Sequence, residues 1–107
     1  MRQLTAADLK AWLDDPSRER PVLLDVREPW EVQICALPHA VHVPMREVPA
    51  RAGEIDPEAP VVAICHHGAR SMQVAVFLER NGYTKTYNLA GGVDAWAKTV
   101  DPKMPVY

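Results

Sequence analysis

Cysteine is scarce in this chain: Cys35 and Cys65 are its only two. So few cysteines exclude a disulfide framework and point to thiols kept reduced. They cannot complete a structural zinc site, and His39, His42, His66 and His67 lack finger-like spacing. The expectation is no metal and no cofactor. No apolar run approaches the roughly 18 residues needed to span a membrane. The opening Met1-Arg2-Gln3-Leu4-Thr5 carries no apolar signal core and passes into polar, helix-like sequence, which sets the expectation of an unexported, cytoplasmic protein. Basic blocks are missing too. Twelve Lys and Arg stand against fourteen Asp and Glu, for a net charge of −2, which argues against a nucleic-acid partner. There is no internal repeat and no linker.

What is present is an ordinary globular composition. Apolar residues make up 48% and charged residues 24%, which excludes a disordered chain. A length of 107 residues suits one domain over 1–107 and is too short for two. Ten prolines, about twice the usual share, punctuate the chain between elements.

Thr5 followed by Asp8 predicts a helix N-terminus, and Leu9, Trp12 and Leu13 give that helix its apolar face up to Pro16. Residues 21–26 form a continuous apolar run, the pattern of a strand buried on both faces. Pro29 opens a short helix through Val32 and Ile34. Residues 41–44 predict a brief strand, and 46–55 a short helix interrupted near Pro49. A second buried strand covers 60–64. Ser71 is the expected cap of a long helix with Val74, Phe77 and Leu78 on one face, stopped by Asn81-Gly82. A third strand over 86–89, a Gly91-Gly92 turn and a closing helix around Trp96 follow, and residues 101–107 are expected to lie over the surface. Strands alternating with short helices predict an α/β domain of three layers, with a central, mainly parallel sheet flanked by helices on both faces.

The segment Cys65-His66-His67-Gly68-Ala69-Arg70-Ser71 carries the chemistry. It places a cysteine at the carboxyl end of a buried strand, the edge of a parallel sheet where ligands bind. A polar turn leading into a helix can aim several backbone N–H groups at an anion. Those groups, the helix dipole and Arg70 would all favour the thiolate, the form that attacks sulfur or phosphorus. The alternative is a structural cysteine ending a strand, which the run of polar residues after it disfavours.

Here the chain resembles the rhodanese family of sulfurtransferases, in particular its single-domain members. Leu24-Asp25-Val26-Arg27-Glu28 resembles the family's Asp-Val-Arg-Glu segment, Cys65 to Arg70 its six-residue active loop, and Leu89-Ala90-Gly91-Gly92-Val93-Asp94-Ala95-Trp96 its Gly-Gly-x-x-x-Trp ending. One departure is Cys35-Ala36-Leu37-Pro38-His39-Ala40, where the family often reads Gly-His-Ile-Pro-Gly-Ala. The resemblance implies a rhodanese-like fold with Cys65 as the nucleophile and His66, His67, Gly68, Ala69 and Arg70 as the substrate-binding loop. Asp25, Arg27 and Ser71 stand beside it as supporting residues; a structural ion pair is the favoured role for the first two. Relatives that hydrolyse phosphate esters carry five residues between cysteine and arginine; this chain has four. The resemblance therefore implies transfer of a sulfane sulfur from a small anionic donor such as thiosulfate to cyanide or a thiol, through a persulfide on Cys65. A thioredoxin-like or sulfur-carrier protein is a candidate acceptor. Two other readings stay open: a non-catalytic binding module, and an arsenate reductase or phosphatase on the same scaffold. Cys35 is expected to be a small buried side chain, with a resolving thiol as the alternative. His66 and His67 are expected to add positive charge at the loop mouth as pH falls.

Overall fold

In the computed structural model, which describes residues 1–107, strands and helices alternate. The order is β1 (Arg2–Leu4), α1 (Ala6–Leu13), β2 (Val22–Asp25), α2 (Pro29–Ile34), β3 (Val41–His42), α3 (Val48–Arg51), β4 (Val61–Ile64), α4 (Ala69–Arg80), β5 (Thr86–Leu89) and α5 (Gly92–Thr99). Short 3-10 turns at Met45–Glu47 and Ala52–Glu54 flank α3. The five strands form one sheet in the order β1-β5-β4-β2-β3, every pair parallel.

Side chains of a strand alternate between faces, so a central strand needs apolar residues at every position. β4 meets this demand with Val-Val-Ala-Ile, all buried. Val62 and Ile64 join Leu23 and Leu89 in one core, closed by Leu9 and Trp12 of α1 and Val93 and Trp96 of α5. Val61 and Ala63 join Leu24 in a second core, closed by Val48 of α3 and by Val74, Ala75 and Leu78 of α4. Two separate cores on the two faces of one sheet make the predicted three layers. The chain leaves β2 toward β3 on one side and β4 toward β5 on the other, so the carboxyl ends of β2 and β4 flank the point where the strand order reverses. A crevice for ligands opens at such a point.

Four expectations need correction. Arg2–Leu4, expected to run into helix-like sequence, forms edge strand β1, paired with Tyr87, Asn88 and Leu89 of β5. Three residues are too short to show a strand period, so only the neighbouring β5 reveals it. Ser71 does not cap α4. Gly68, at φ 106, is the N-cap and the helix begins at Ala69, leaving Ser71 buried in the first turn. Pro49 sits in the first turn of α3, where its missing N–H is harmless, so it opens the helix instead of interrupting it. The tail does not simply cover the surface. Met104 is buried, and the Tyr107 ring stacks on His66 at 3.9 Å. The left-handed backbone at φ 65 falls to His39, at the family's frequent glycine position. No helix is long and apolar enough to cross a membrane.

The predicted start of α1 is present. The Asp8 N–H donates to Thr5 Oγ1 at 3.0 Å, and the Thr5 N–H donates back to the Asp8 carboxylate at 3.3 Å. Thr5→Ala is expected to cost about 1 kcal/mol. A urea titration would register this as a lower midpoint with an unchanged slope.

Candidate active site

Cys65 directly follows β4 and is 1% exposed. The Gly68 N–H donates to its Sγ at 3.1 Å, and the Ser71 hydroxyl lies 3.2 Å from the same sulfur. The chain can fold back this tightly because Gly68 takes a left-handed conformation closed to most side chains. The N–H groups of His66, His67, Ala69, Arg70 and Ser71 have no backbone partner, so the loop and the first turn of α4 carry unpaired donors in the residues that follow Cys65.

The Gly91-Gly92 turn holds the loop from the other side. The Val93 N–H donates to the Cys65 carbonyl at 2.9 Å, and the Asp94 N–H to the His66 carbonyl at 3.1 Å. A Cβ on Gly92 would lie 2.3 Å from the His66 carbonyl oxygen and 2.4 Å from that of Cys65. The sequence shows this glycine pair as a turn; its close approach to the loop appears only in three dimensions. Asn88, 2% exposed on β5, supplies a third tether. Its amide nitrogen donates to the Gly68 carbonyl at 3.0 Å and to Gln3 Oε1 at 2.9 Å, and its oxygen accepts from Ser71. Sequence reasoning missed Asn88. The available signal was an amide side chain inside a predicted strand, where burial would demand a partner.

Charge around the loop is paired internally. Arg70 makes two hydrogen bonds to the buried Glu31 of α2, at 2.7 and 2.8 Å. Those bonds from Arg70, outweighing burial, hold the Glu31 carboxyl down to about 2. The Tyr107 hydroxyl donates to Glu31 at 2.7 Å and accepts from Arg27 at 3.0 Å, while burial pushes its own pKa up to about 12. Arg27 is fully buried and grips Asp25 through Nε and Nη2, at 3.0 and 2.7 Å. It also donates to the Cys35 carbonyl at 2.6 Å. Burial works against the Arg27 cation, but its bonds to Asp25 and Tyr107 outweigh that and keep it charged. Asp25 and Arg27 are thus the expected structural ion pair, and Cys35 is a buried thiol beside it.

The two histidines do not both serve as charges. Burial, and next the adjacent His67, push the His66 pKa below the ordinary imidazole value, which favours its neutral form. Its Nε2 is buried with no hydrogen-bond partner. His67 is exposed, with Nε2 3.9 Å from the Asp94 carboxylate. His66, His67 and Asp94 bring possible metal-ligand atoms within 4.8 Å of one another, but the two rings pack against each other at a 30° tilt and Asp94 already pairs with Lys98 at 2.9 Å. Of the sequence-predicted residues, Cys65, Gly68 and Ser71 meet at the sulfur, and Arg70 is committed to Glu31. Ala69 is exposed as the first residue of α4.

The chain is similar to known proteins along nearly its whole length. The family model for the rhodanese-like domain matches residues 5–99. A sulfurtransferase of Allochromatium vinosum is 40% identical over 80 residues, covering 75% of each chain. The chloroplastic rhodanese-like/PpiC domain-containing protein 12 of Arabidopsis thaliana is 34% identical across the whole chain, which spans 38% of that longer protein. Among solved structures, a rhodanese-like domain protein from Staphylococcus aureus superposes with a TM-score of 0.83 at 27% identity, covering 100% of this chain and 99% of its own.

Two outcomes follow from these contacts. Glu31, at about 2 when folded against an ordinary 4.5, contributes stability that is complete above about pH 4.5 and lost as pH falls through 2. Glu31→Gln is therefore expected to be less stable by up to about 3 kcal/mol at pH 7. The gap to the parent should close steadily below pH 4.5 in denaturant titrations. Gly92→Ala is expected to push the loop away from α5 at a cost of about 2 kcal/mol or more, seen as a lower melting temperature together with impaired chemistry at Cys65.

Proposed function

The chain belongs to the rhodanese-like domain family, and we infer that within it this protein moves a sulfane sulfur through a persulfide on Cys65. The observation that carries this reading is the Cys65 sulfur at the carboxyl end of β4, held by the Gly68 N–H at 3.1 Å inside a loop of four residues between Cys65 and Arg70.

In the first step the Cys65 thiolate attacks the outer sulfur of a donor such as thiosulfate. A bond forms between the two sulfurs, the donor's own S–S bond breaks, and sulfite departs with that electron pair. Cys65 is left as Cys–S–S⁻. In the second step an acceptor thiolate attacks the outer sulfur, takes it as R–S–S⁻, and returns Cys65 as thiolate. Cyanide as acceptor would leave as thiocyanate. The exchange predicts ping-pong kinetics.

The persulfide anion is the charge the site has to stabilise. The free N–H groups of the loop and of the first turn of α4 suit this task as fixed dipoles that need no reorganisation. Arg70 is tied to Glu31, so its role here is to clamp the loop onto α2, and the anion is left to the amides. His66 Nε2, buried and unpartnered, is a further group available to a donor's oxygen atoms. A protein thiol, on a thioredoxin-like or sulfur-carrier partner, is the acceptor class this chemistry suits.

Treatment with thiosulfate is expected to add one sulfur atom to the intact mass, and cyanide to remove it. Cys65→Ser should abolish both the added mass and thiocyanate formation while keeping the circular dichroism of the parent. Near-normal turnover in that variant would overturn the reading. Cys35→Ser should keep most of the activity; a comparable loss there would point to a two-thiol relay.

A further inference from the structure

Resting on the reading of Cys65 as nucleophile, we propose that Asn88 is a positioning residue that decides which way the Ser71 hydroxyl gives its proton, and thereby restrains Cys65 from becoming an anion. The two hydrogens of the Asn88 amide go to the Gly68 carbonyl and to Gln3 Oε1, at 3.0 and 2.9 Å. A flipped amide would set its oxygen against both of those oxygens, so Oδ1 faces Ser71. Ser71 Oγ lies 2.5 Å from Asn88 Oδ1 and 3.2 Å from Cys65 Sγ.

A hydroxyl has one proton, and both of these neighbours can take it. An amide oxygen can only accept, so the short contact to Asn88 requires the Ser71 proton. Ser71 then presents lone pairs to the sulfur, which suits a thiol S–H donor and opposes a thiolate. When the thiol proton passes to solvent, the Ser71 hydroxyl has to turn toward Sγ. That leaves Asn88 Oδ1 buried without a donor, the costly state for an amide oxygen. Asn88 therefore competes with the sulfur for one proton.

The test follows the rate of Cys65 alkylation by iodoacetamide across pH, in a Cys35→Ser background with the fold checked by circular dichroism. Altered access scales the whole curve, whereas a redirected proton moves its midpoint. The charged and titratable groups around the sulfur stay as they are: Arg70 with Glu31, Arg27 with Asp25, Tyr107, and His66 and His67 near Asp94.

Asn88→Leu frees the Ser71 proton for the sulfur, and the midpoint is expected to fall, with about threefold to tenfold more reactive thiol at a pH below it. The gain should vanish when Asn88→Leu is compared with its parent in a Ser71→Ala background. A folded Asn88→Leu with an unmoved or raised midpoint, or a gain that survives Ser71→Ala, overturns the proposal. Ser71→Ala alone adds no charge and decides the matter if the leucine variant does not fold. With its proton held by Asn88 the hydroxyl opposes the thiolate, so the midpoint is expected to fall, and a raised one overturns the proposal. Alkylation needs no sulfur donor, so the result stands or falls separately from the assignment of sulfur transfer.

Discussion

The shape of the cysteine loop depends on a pair of backbone bonds made across the sheet's edge. The carbonyls of Cys65 and His66 are received by the N–H groups of Val93 and Asp94 at the start of α5. Those bonds need α5 to begin almost in contact with the loop, a distance only a residue without Cβ allows, and Gly92 stands there. With both carbonyls bonded to α5, the Gly68 N–H is the loop amide that reaches the sulfur, and the other N–H groups of the loop have no backbone partner.

A second constraint is electrostatic. Asp25, Arg27, Tyr107, Glu31 and Arg70 form one connected set from β2 through the tail to the loop. Arg27 is fully buried, and an unpaired charge there would be prohibitive; with Asp25, Tyr107 and the Cys35 carbonyl as partners it is held in one geometry. Because Glu31 answers Arg70, the mouth does not gain the net positive field expected from its sequence. The donors left unpaired in the loop are backbone N–H groups and not a free side-chain cation.

Much of this was legible in the sequence because it rests on local rules. The capping box at Thr5 and Asp8, the buried strands at 22–25 and 61–64, and the stop at Asn81 each follow from a few neighbouring residues. The rhodanese-like character was legible from three motifs in order. The misses share a cause. Edge strand β1, the burial of Ser71, the tether from Asn88 and the return of Tyr107 onto His66 all depend on partners distant in the chain, at separations of 17 residues for Ser71 with Asn88 and 76 for Tyr107 with Glu31.

The sequence by itself determined the α/β layering and the position of the cysteine at a strand's carboxyl end, since apolar periodicity and a polar turn before a helix are written in consecutive residues. Only the tertiary structure decided what surrounds that sulfur. Which side chain neutralises Arg70, which amide claims the Ser71 proton, and which glycine lets α5 touch the loop are matters of approach between elements. The partners lie far apart in the chain, and no spacing along it encodes their approach.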